Sequence, residues 1–507
     1  MKAFLMYRDR DFNLQQALPA NADDLVQDLE LTTLFQAMAS GDQFLFDVAR
    51  KSLLCGTEDI DTILYRQAIL KDCLNNPAVV RKMYLIVTEA MEEKKKKLYF
   101  SIFGRYPAGI LYSAREALQL FLAWLKQLKQ LADEYAGNFE SEGFRVLFAM
   151  LRQELADDYF ALVQEHLRHL QFRSGVLVSA ALGKGNEGTG YTLHKVQDKK
   201  QSWLERLFAQ QPPAYTIHIH ERDEAGARAL GELKDRGINL VANALAQSVE
   251  HINSFFAMLR TELAFYVGCL NLREKLAAKE EPVTFPVPVA SQERCLSFKG
   301  LYDICLTLLL AQRVVGNDAQ ADQKNLVMIT GANQGGKSTF LRSIGLAQLL
   351  MQCGMFVPAE AFCARVCSGL FTHYKREEDT AMTSGKLDEE LSRMSGMVDN
   401  IRPQSLILFN ESFAATNERE GSEIARQIVS ALLEKHIQVF FVTHQYALAH
   451  GFYEKKLDNA IFLQAERQNS GERSFKIVEG EPQPTSFGED LYTGIFGVTA
   501  DVLETTG

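Results

Sequence analysis

Three short stretches carry residues whose types and spacing could do chemistry on a phosphate ester. Gly331, Gly336, Lys337 and Ser338 fill the pattern G-x-x-x-x-G-K-[ST]. In such a loop successive backbone N–H groups cradle phosphates, the lysine reaches the outer oxygens and the hydroxyl ligates Mg²⁺. Gly331, Gly335 and Gly336 permit φ values and a closeness of backbone that a Cβ would block. The second stretch is Asn410-Glu411, at the end of the apolar run Leu406–Phe409. An aspartate usually leads such a pair and holds Mg²⁺, and a glutamate follows to polarise the attacking water. Asn410 keeps the carbonyl but brings no charge, so weaker Mg²⁺ binding is expected, while Glu411 is the candidate general base. The third is His444, after Val442-Thr443, where an imidazole could contact the terminal phosphate. Glutamate, histidine and loop together point to attack by water rather than transfer to a small substrate.

These groups need a scaffold that brings strand ends together. Leu326–Thr330 is an apolar, β-branched run that breaks into the glycine-rich turn and then into an amphipathic helical pattern, with its N-terminal dipole aimed at the bound anion. Further strands are expected after Met355–Pro358 and at Gly369–His373, Ser405–Phe409, Gln438–Val442 and Ala460–Leu463, with helices at Leu387–Ile401 and Glu420–Lys435. That alternation predicts a parallel α/β sheet, whose strand carboxyl ends form the ligand crevice.

Upstream the text is helical. Apolar positions recur at helical spacing from Leu29 to Met83, with Asp59 and Asp61 as candidate caps, and Ser113–Ala136 is a clean amphipathic pattern containing Trp124. Ile238–Lys279 is the longest such pattern; about 40 residues would span roughly 60 Å, the reach of a lever, with a core helix of a bundle as the other reading. Arg173–Leu182 and Ala214–His220 read as strands around a Gly/Lys-rich loop, Gly183–Gly190. The predicted organisation is an arm at 1–28, a helical core and lever at 29–285 with a β insertion near 173–220, and a P-loop domain at 286–507.

The 507 residues carry a net charge of −10, so the chain as a whole lacks the basic balance of a nucleic-acid binder, although local patches can still contact phosphates. Lys94–Lys97 is one such patch, read first as a solvated helix face. The eight cysteines form no C-x-x-C pair. Cys363, Cys367 and His373, and the period-two pair His218 and His220, could hold a metal, but each set lacks a full complement of ligands and reads as structural. With no signal-peptide pattern and no run of about 20 uninterrupted apolar residues, a cytoplasmic protein without a membrane anchor is expected.

TGANQGGKST at 330–339, NESFAATNEREG at 410–421 and VTHQYAL at 442–448 resemble the ATPase domain of MutS-type DNA mismatch repair proteins, a branch of the ABC ATPase superfamily. DLELTTLFQAM, GDQFLFDVA and the long helix are similar to the core and lever that precede that ATPase. The resemblance implies an α-helical core and lever followed by an ABC-type α/β ATPase, with ATP and Mg²⁺ as cofactors. It also implies a homodimer through the ATPase heads, and DNA as a partner in mismatch repair or related repair and recombination. Carried over by position, Gly331, Asn333, Gln334 and Gly335 to Thr339 bind the nucleotide, and Ser338 with Asn410 holds the metal. Glu411 and His444 are catalytic, while Ser384, Gly385 and Thr416 face the partner subunit. Ala332 and Gln334 stand where the family usually has proline and methionine. Nothing at 1–28 resembles the mismatch-reading domain, and Phe452-Tyr453-Glu454 imitates its wedge from the wrong place. No nuclease-like tail follows residue 500. The expected function is a DNA-dependent ATPase acting as a dimeric clamp without mismatch specificity of its own. The second reading, favoured by Asn410 and the acidic balance, is a nucleotide-switched scaffold that hydrolyses little and recruits proteins.

Overall fold

Helix formation follows the caps and the apolar spacing. Asp59 accepts from the Thr62 amide at 3.1 Å and opens helix Ile60–Asn75; Asp42 caps Gln43–Leu54 and Asn417 caps Glu418–Glu434 in the same way. In the computed structural model, residues 1–98, 106–173, 175–195, 215–332, 334–376, 385–467 and 473–483 are described. They divide into two compact units.

The first unit takes residues 1–3, 78–139 and 144–260. It is largely helical, with Pro77–Leu98, Pro107–Tyr135, Glu142–Glu154 and Asp157–His169 followed by the start of the long helix Glu224–Ala277. Its core is aromatic: Phe121 lies 5.2 Å from Phe256, and Phe148 packs on Phe139 and Phe144. Trp124 donates to Glu93 at 3.0 Å. In the lysine run, the Lys94 ammonium lies 5.6 Å from the Phe121 ring and Lys95 and Lys96 are exposed. The helix at 107 begins six residues before the expected start because Pro107 suits the first helical position.

The β insertion corrects the sequence reading. Strands β1 (Leu177–Leu182) and β2 (Gly188–His194) pair antiparallel, so the last three residues of the expected glycine-rich loop, 188–190, are strand. The turn is closed by Gly183 N–H on the Glu187 carbonyl at 2.7 Å, with Gly185 at φ 75°. Residues 215–220 are not strand, and His218 and His220 are both exposed. The long helix starts at Glu224, well before the expected Ile238, despite Gly226, Gly231 and Gly237. Asp223 caps the Gly226 amide at 2.9 Å, and a Cβ at 237 would meet Val178 at 2.5 Å. Helix propensity gave way to packing. This helix contains an 18-residue window apolar enough for a membrane, of which 83% is buried inside the protein.

The second unit takes residues 4–77, 140–143 and those from Thr261 onward. Strands β3 (Val287–Val289), β4 (Leu296–Leu301), β5 (Asn317–Gln320) and β7 (Ala361–Arg365) form a small sheet in the order β3-β7-β4-β5. Strands β6 (Leu326–Gly331), β8 (Leu370–Tyr374), β9 (Leu406–Asn410), β10 (Gln438–Val442), β11 (Ala460–Arg467) and β12 (Arg473–Glu479) form a larger one, in the order β12-β11-β6-β10-β9-β8. All neighbours in it are parallel except β12 on β11. Residues of β6, β8 and β10 are buried along their whole length, as expected of a sheet covered by helices on both faces.

Residues 4–12, read from sequence as part of an arm, pack inside this second unit, so the contacts do not divide the chain at 28 and 285. Leu5, Met6 and Phe12 are buried. Buried Glu262 accepts from Leu5 N–H at 2.6 Å and Phe12 N–H at 3.0 Å, while Tyr65, Tyr266 and Arg66 donate to the carbonyls of Phe4, Leu5 and Met6. Burial pushes the Glu262 carboxyl up to about 7, against the lowering effect of those amides. A carboxyl raised above its ordinary value contributes stability that is complete below that value and is lost as pH rises through 7. The wild-type chain should therefore lose about 1.4 kcal/mol more stability between pH 6 and 8 than Glu262→Gln, measured by denaturant unfolding at both pH values.

Candidate nucleotide site

Parallel register sets the site. Val442 of β10 lies opposite Asn410 of β9 and Ile329 of β6, so the residues that follow these strands emerge at one edge of the sheet. β6 runs into the glycine-rich turn, where Gly331 has φ 106°, Gln334 57° and Gly336 86°. A Cβ on Gly331 would come within 2.9 Å of the Ala465 amide, and one on Gly335 within 2.7 Å of the Ala465 side chain. Glycine is required at both by the neighbouring strand. Helix Lys337–Gln352 begins at once and directs its free N–H groups into the turn.

Lys337 is 5% exposed, and its Nζ donates to the Gly331 and Ala332 carbonyls at 2.9 and 2.8 Å. Burial pulls its pKa down to about 8; Glu411 opposes that shift and Arg473 adds to it. A buried ammonium whose hydrogen bonds among the described residues go to carbonyls of its own loop fits an arriving phosphate. Ser338 Oγ donates to Asn410 Oδ1 at 2.9 Å. These two neutral oxygens suit a hard cation such as Mg²⁺, with fewer charges than a carboxylate would supply.

Glu411 sits at φ 55°, a conformation costing a non-glycine residue of order 1 kcal/mol, with its amide on the Val442 carbonyl at 2.9 Å. Its Oε1 meets His444 Nε2 at 2.8 Å. That contact holds the Glu411 carboxyl below its ordinary value, against burial, with further help from the His444, Lys337 and Lys375 charges. The adjoining turn is fixed by Gln445, which donates to the Phe413 carbonyl at 3.0 Å.

Gln334, Gly335 to Thr339, Glu411 and His444 line one cavity of about 580 Å³. Gly331 reaches it through Lys337, and Asn410 through Ser338. Gly385 and Thr416 are not in its wall: Gly385 is exposed ahead of helix Lys386–Val398, and Thr416 donates to Glu420 at 2.7 Å. Asn333 and Ser384 lie outside the described residues. The sequence reading missed the outer wall, made by Tyr302, Arg313, Val315, Asn317 and Phe475. Asn317 accepts from Ile477 N–H at 2.8 Å and donates to the Phe475 carbonyl at 3.3 Å, bringing the β12 hairpin over the glycine turn. No local spacing signals that contact.

The alternative metal readings separate. Cys363 Sγ faces Cys295 Sγ at 2.9 Å, Cys367 Sγ contacts Gln352, and His373 is bonded to Ser412 and the Glu390 carbonyl. No group of three or more His, Cys, Asp or Glu among the described residues is placed to hold a metal. Phe452 is 1% exposed within the core, which removes it as a base wedge.

Comparison with known proteins adds two family matches: the MutS2 N-terminal domain over residues 58–279 and MutS domain V over residues 327–504. DNA mismatch repair protein MutS of Lactococcus lactis subsp. lactis is 27% identical over 341 residues, covering 63% of this chain and 38% of that protein. MutS protein homolog 4 of Mus musculus is 26% identical over 234 residues, covering 46% and 24%. DNA mismatch repair protein MutS of Leuconostoc citreum is 29% identical over 203 residues, covering 39% and 23%. The chain thus spans well under half the length of these relatives.

The Ser338–Asn410 contact predicts that Asn410→Asp, by adding a charge at the cation position, tightens Mg²⁺ binding in the presence of nucleotide by roughly tenfold, read by Mg²⁺ titration of nucleotide affinity.

Proposed function

The chain belongs to the MutS family, and on that premise we propose that it binds ATP with Mg²⁺ beside Lys337, hydrolyses it slowly, and acts on DNA as a homodimeric clamp in mismatch repair or recombination. The observation that carries this reading is the convergence of Lys337, the Ser338–Asn410 pair and the Glu411–His444 pair on one cavity at the sheet's carboxyl edge. An ABC-type head, with Gly385 and Thr416 turned toward the partner head, is part of the same proposal.

Lys337 would exchange its loop carbonyls for β- and γ-phosphate oxygens. Ser338 and Asn410 would hold Mg²⁺, which when bound neutralises charge on those oxygens. Glu411 would accept a proton from the attacking water. While paired with His444 it is a weaker base than an ordinary glutamate, because that hydrogen bond holds its carboxyl below the usual value. An imidazole drawn toward the terminal phosphate would release Glu411, so the same contact that senses the nucleotide would arm the base. The long helix contributes residues to both units, which suits it to carry nucleotide state toward DNA.

Steady-state ATP hydrolysis with linear, mismatched and branched DNA tests this, with Glu411→Ala as the blank. Stimulation by one DNA form, abolished in Glu411→Ala, is the expected result. The neutral Asn410 favours a second reading, a nucleotide-switched scaffold that recruits proteins. Tight ATP binding with a rate equal to the blank on every DNA would select it.

Lys337 adds a pH signature. The free ammonium loses its proton near pH 8, whereas bound phosphate favours the charged form. ATP binding should therefore take up a proton above pH 8 and weaken by up to about tenfold per pH unit, seen by calorimetry in buffers of different ionisation enthalpy.

A further inference from the structure

The turn that carries Glu411 is gripped from one side by a buried polar cluster with no part in phosphate binding. His373, on β8, is fully buried. Its Nδ1 lies 2.8 Å from Ser412 Oγ and its Nε2 lies 3.0 Å from the Glu390 carbonyl. Its ring stacks on Phe413, with centroids 5.1 Å apart at an interplanar angle of 19°. Glu390, 3% exposed on helix Lys386–Val398, accepts the Phe413 amide on its carboxylate. One helix residue therefore holds this turn twice: its carbonyl holds the turn through His373, and its carboxylate holds it directly.

A proton count fixes the tautomer of the ring. The Glu390 and His373 carbonyls only accept, so Nε2 must carry the ring proton and Nδ1 must be the acceptor. The single Ser412 hydroxyl proton is then shared between Nδ1 and the His373 carbonyl, both of which it contacts. Burial, with the neighbouring Arg393 charge, holds His373 down to about 4, which keeps the ring neutral and this tautomer in place. The gripped turn is strained: Glu411 has φ 55° and Phe413 has φ 61°. Left-handed backbone at two non-glycine residues persists only where the surroundings fix it.

We propose that His373 and Glu390 are positioning residues that lock the Glu411–Phe413 turn to helix Lys386–Val398, so that movement of this helix sets the placement of the Glu411 carboxylate. The proposal rests on the reading of Glu411 as the base. Because Gly385 stands at the exposed start of that helix, whatever docks there gains a mechanical route to the site.

The test uses the full chain with His373→Phe, which keeps the ring stack and loses both hydrogen bonds, together with Glu390→Leu and Glu390→Gln. The expected result in His373→Phe and Glu390→Leu is a kcat for ATP lower by roughly tenfold or more, with KM within about twofold. Glu390→Gln, which can still accept the Phe413 amide, should recover most of the rate. The double variant should be no slower than either single one, as for groups acting as a unit. Hydrogen exchange without nucleotide supplies an independent reading. Amides of 410–416 and 386–398 should exchange faster together in the two disruptive variants, while β6 and β10 stay protected. Unchanged exchange at 410–416, an unchanged kcat, or a loss of protection in β6 and β10 that Glu390→Gln does not relieve would each overturn the proposal. A wild-type chain that neither binds nor hydrolyses ATP would overturn the reading of Glu411 instead, and the exchange result would then decide the mechanical link by itself.

Discussion

The parallel pairing of β10 with both β6 and β9 is the constraint on which the rest of the second unit depends. Side chains alternate along a strand, and a shift of one residue reverses every face. With Val442 level with Ile329 and Asn410, the glycine turn, the Asn410-Glu411 step and the His444 loop leave the sheet at one level. A different register would bury Glu411 or move His444 out of its reach. The apolar run of each strand, including Phe409 stacked 4.9 Å from Phe441, holds that register from within the core. The polar residues at the strand ends are thus placed by hydrophobic packing several residues away.

Lys337 gives the second constraint. An ammonium buried this far is unfavourable unless something compensates, and in the free protein two backbone carbonyls and the Glu411 charge do so. The glycine turn must bring those carbonyls close, which explains why Gly331 and Gly335 are pressed against Ala465 of β11. A phosphate arriving here would meet a cation already stripped of water and a backbone that cannot relax away from it.

That these residues would meet was legible in the sequence because the parts are local: a loop pattern spanning 331–338, a pair at 410–411 and a histidine after an apolar strand. The five central strands were legible for the same reason, each being an apolar run bounded by turn residues. What could not be read depends on contacts between distant residues. Asn317 and Phe475 meet across 158 positions, and Glu262 holds the Leu5 amide across 257. The second contact is made to backbone, so the sequence at 4–12 carries no sign of it, and an arm was expected. Strand β2 and the early turns of the long helix were hidden by glycines, which reduce local propensity and are there to let a neighbour approach, as Gly237 does for Val178. The type of His373 suits a metal ligand, and only its partners Ser412 and the Glu390 carbonyl show it to be structural.

At rest the site satisfies itself. Lys337 bonds its own loop, Ser338 bonds Asn410 and Glu411 bonds His444, so a nucleotide bound as proposed would exchange each of these for a contact of its own. Exchanged hydrogen bonds contribute little net free energy, whereas bonds to charged groups contribute more. Binding at such a site is therefore driven by the buried ammonium. An aspartate at 410 would add a second carboxylate beside Glu411 and would give the resting site a charge that the neutral Ser338 hydroxyl could not compensate. Asparagine at 410 keeps the free state closed on itself, and would make a metal the weaker of the two ligand contacts. The residue that departs from the usual pattern is in this sense matched to the rest of the pocket, which holds its reactive groups in mutual pairs until charge arrives to separate them.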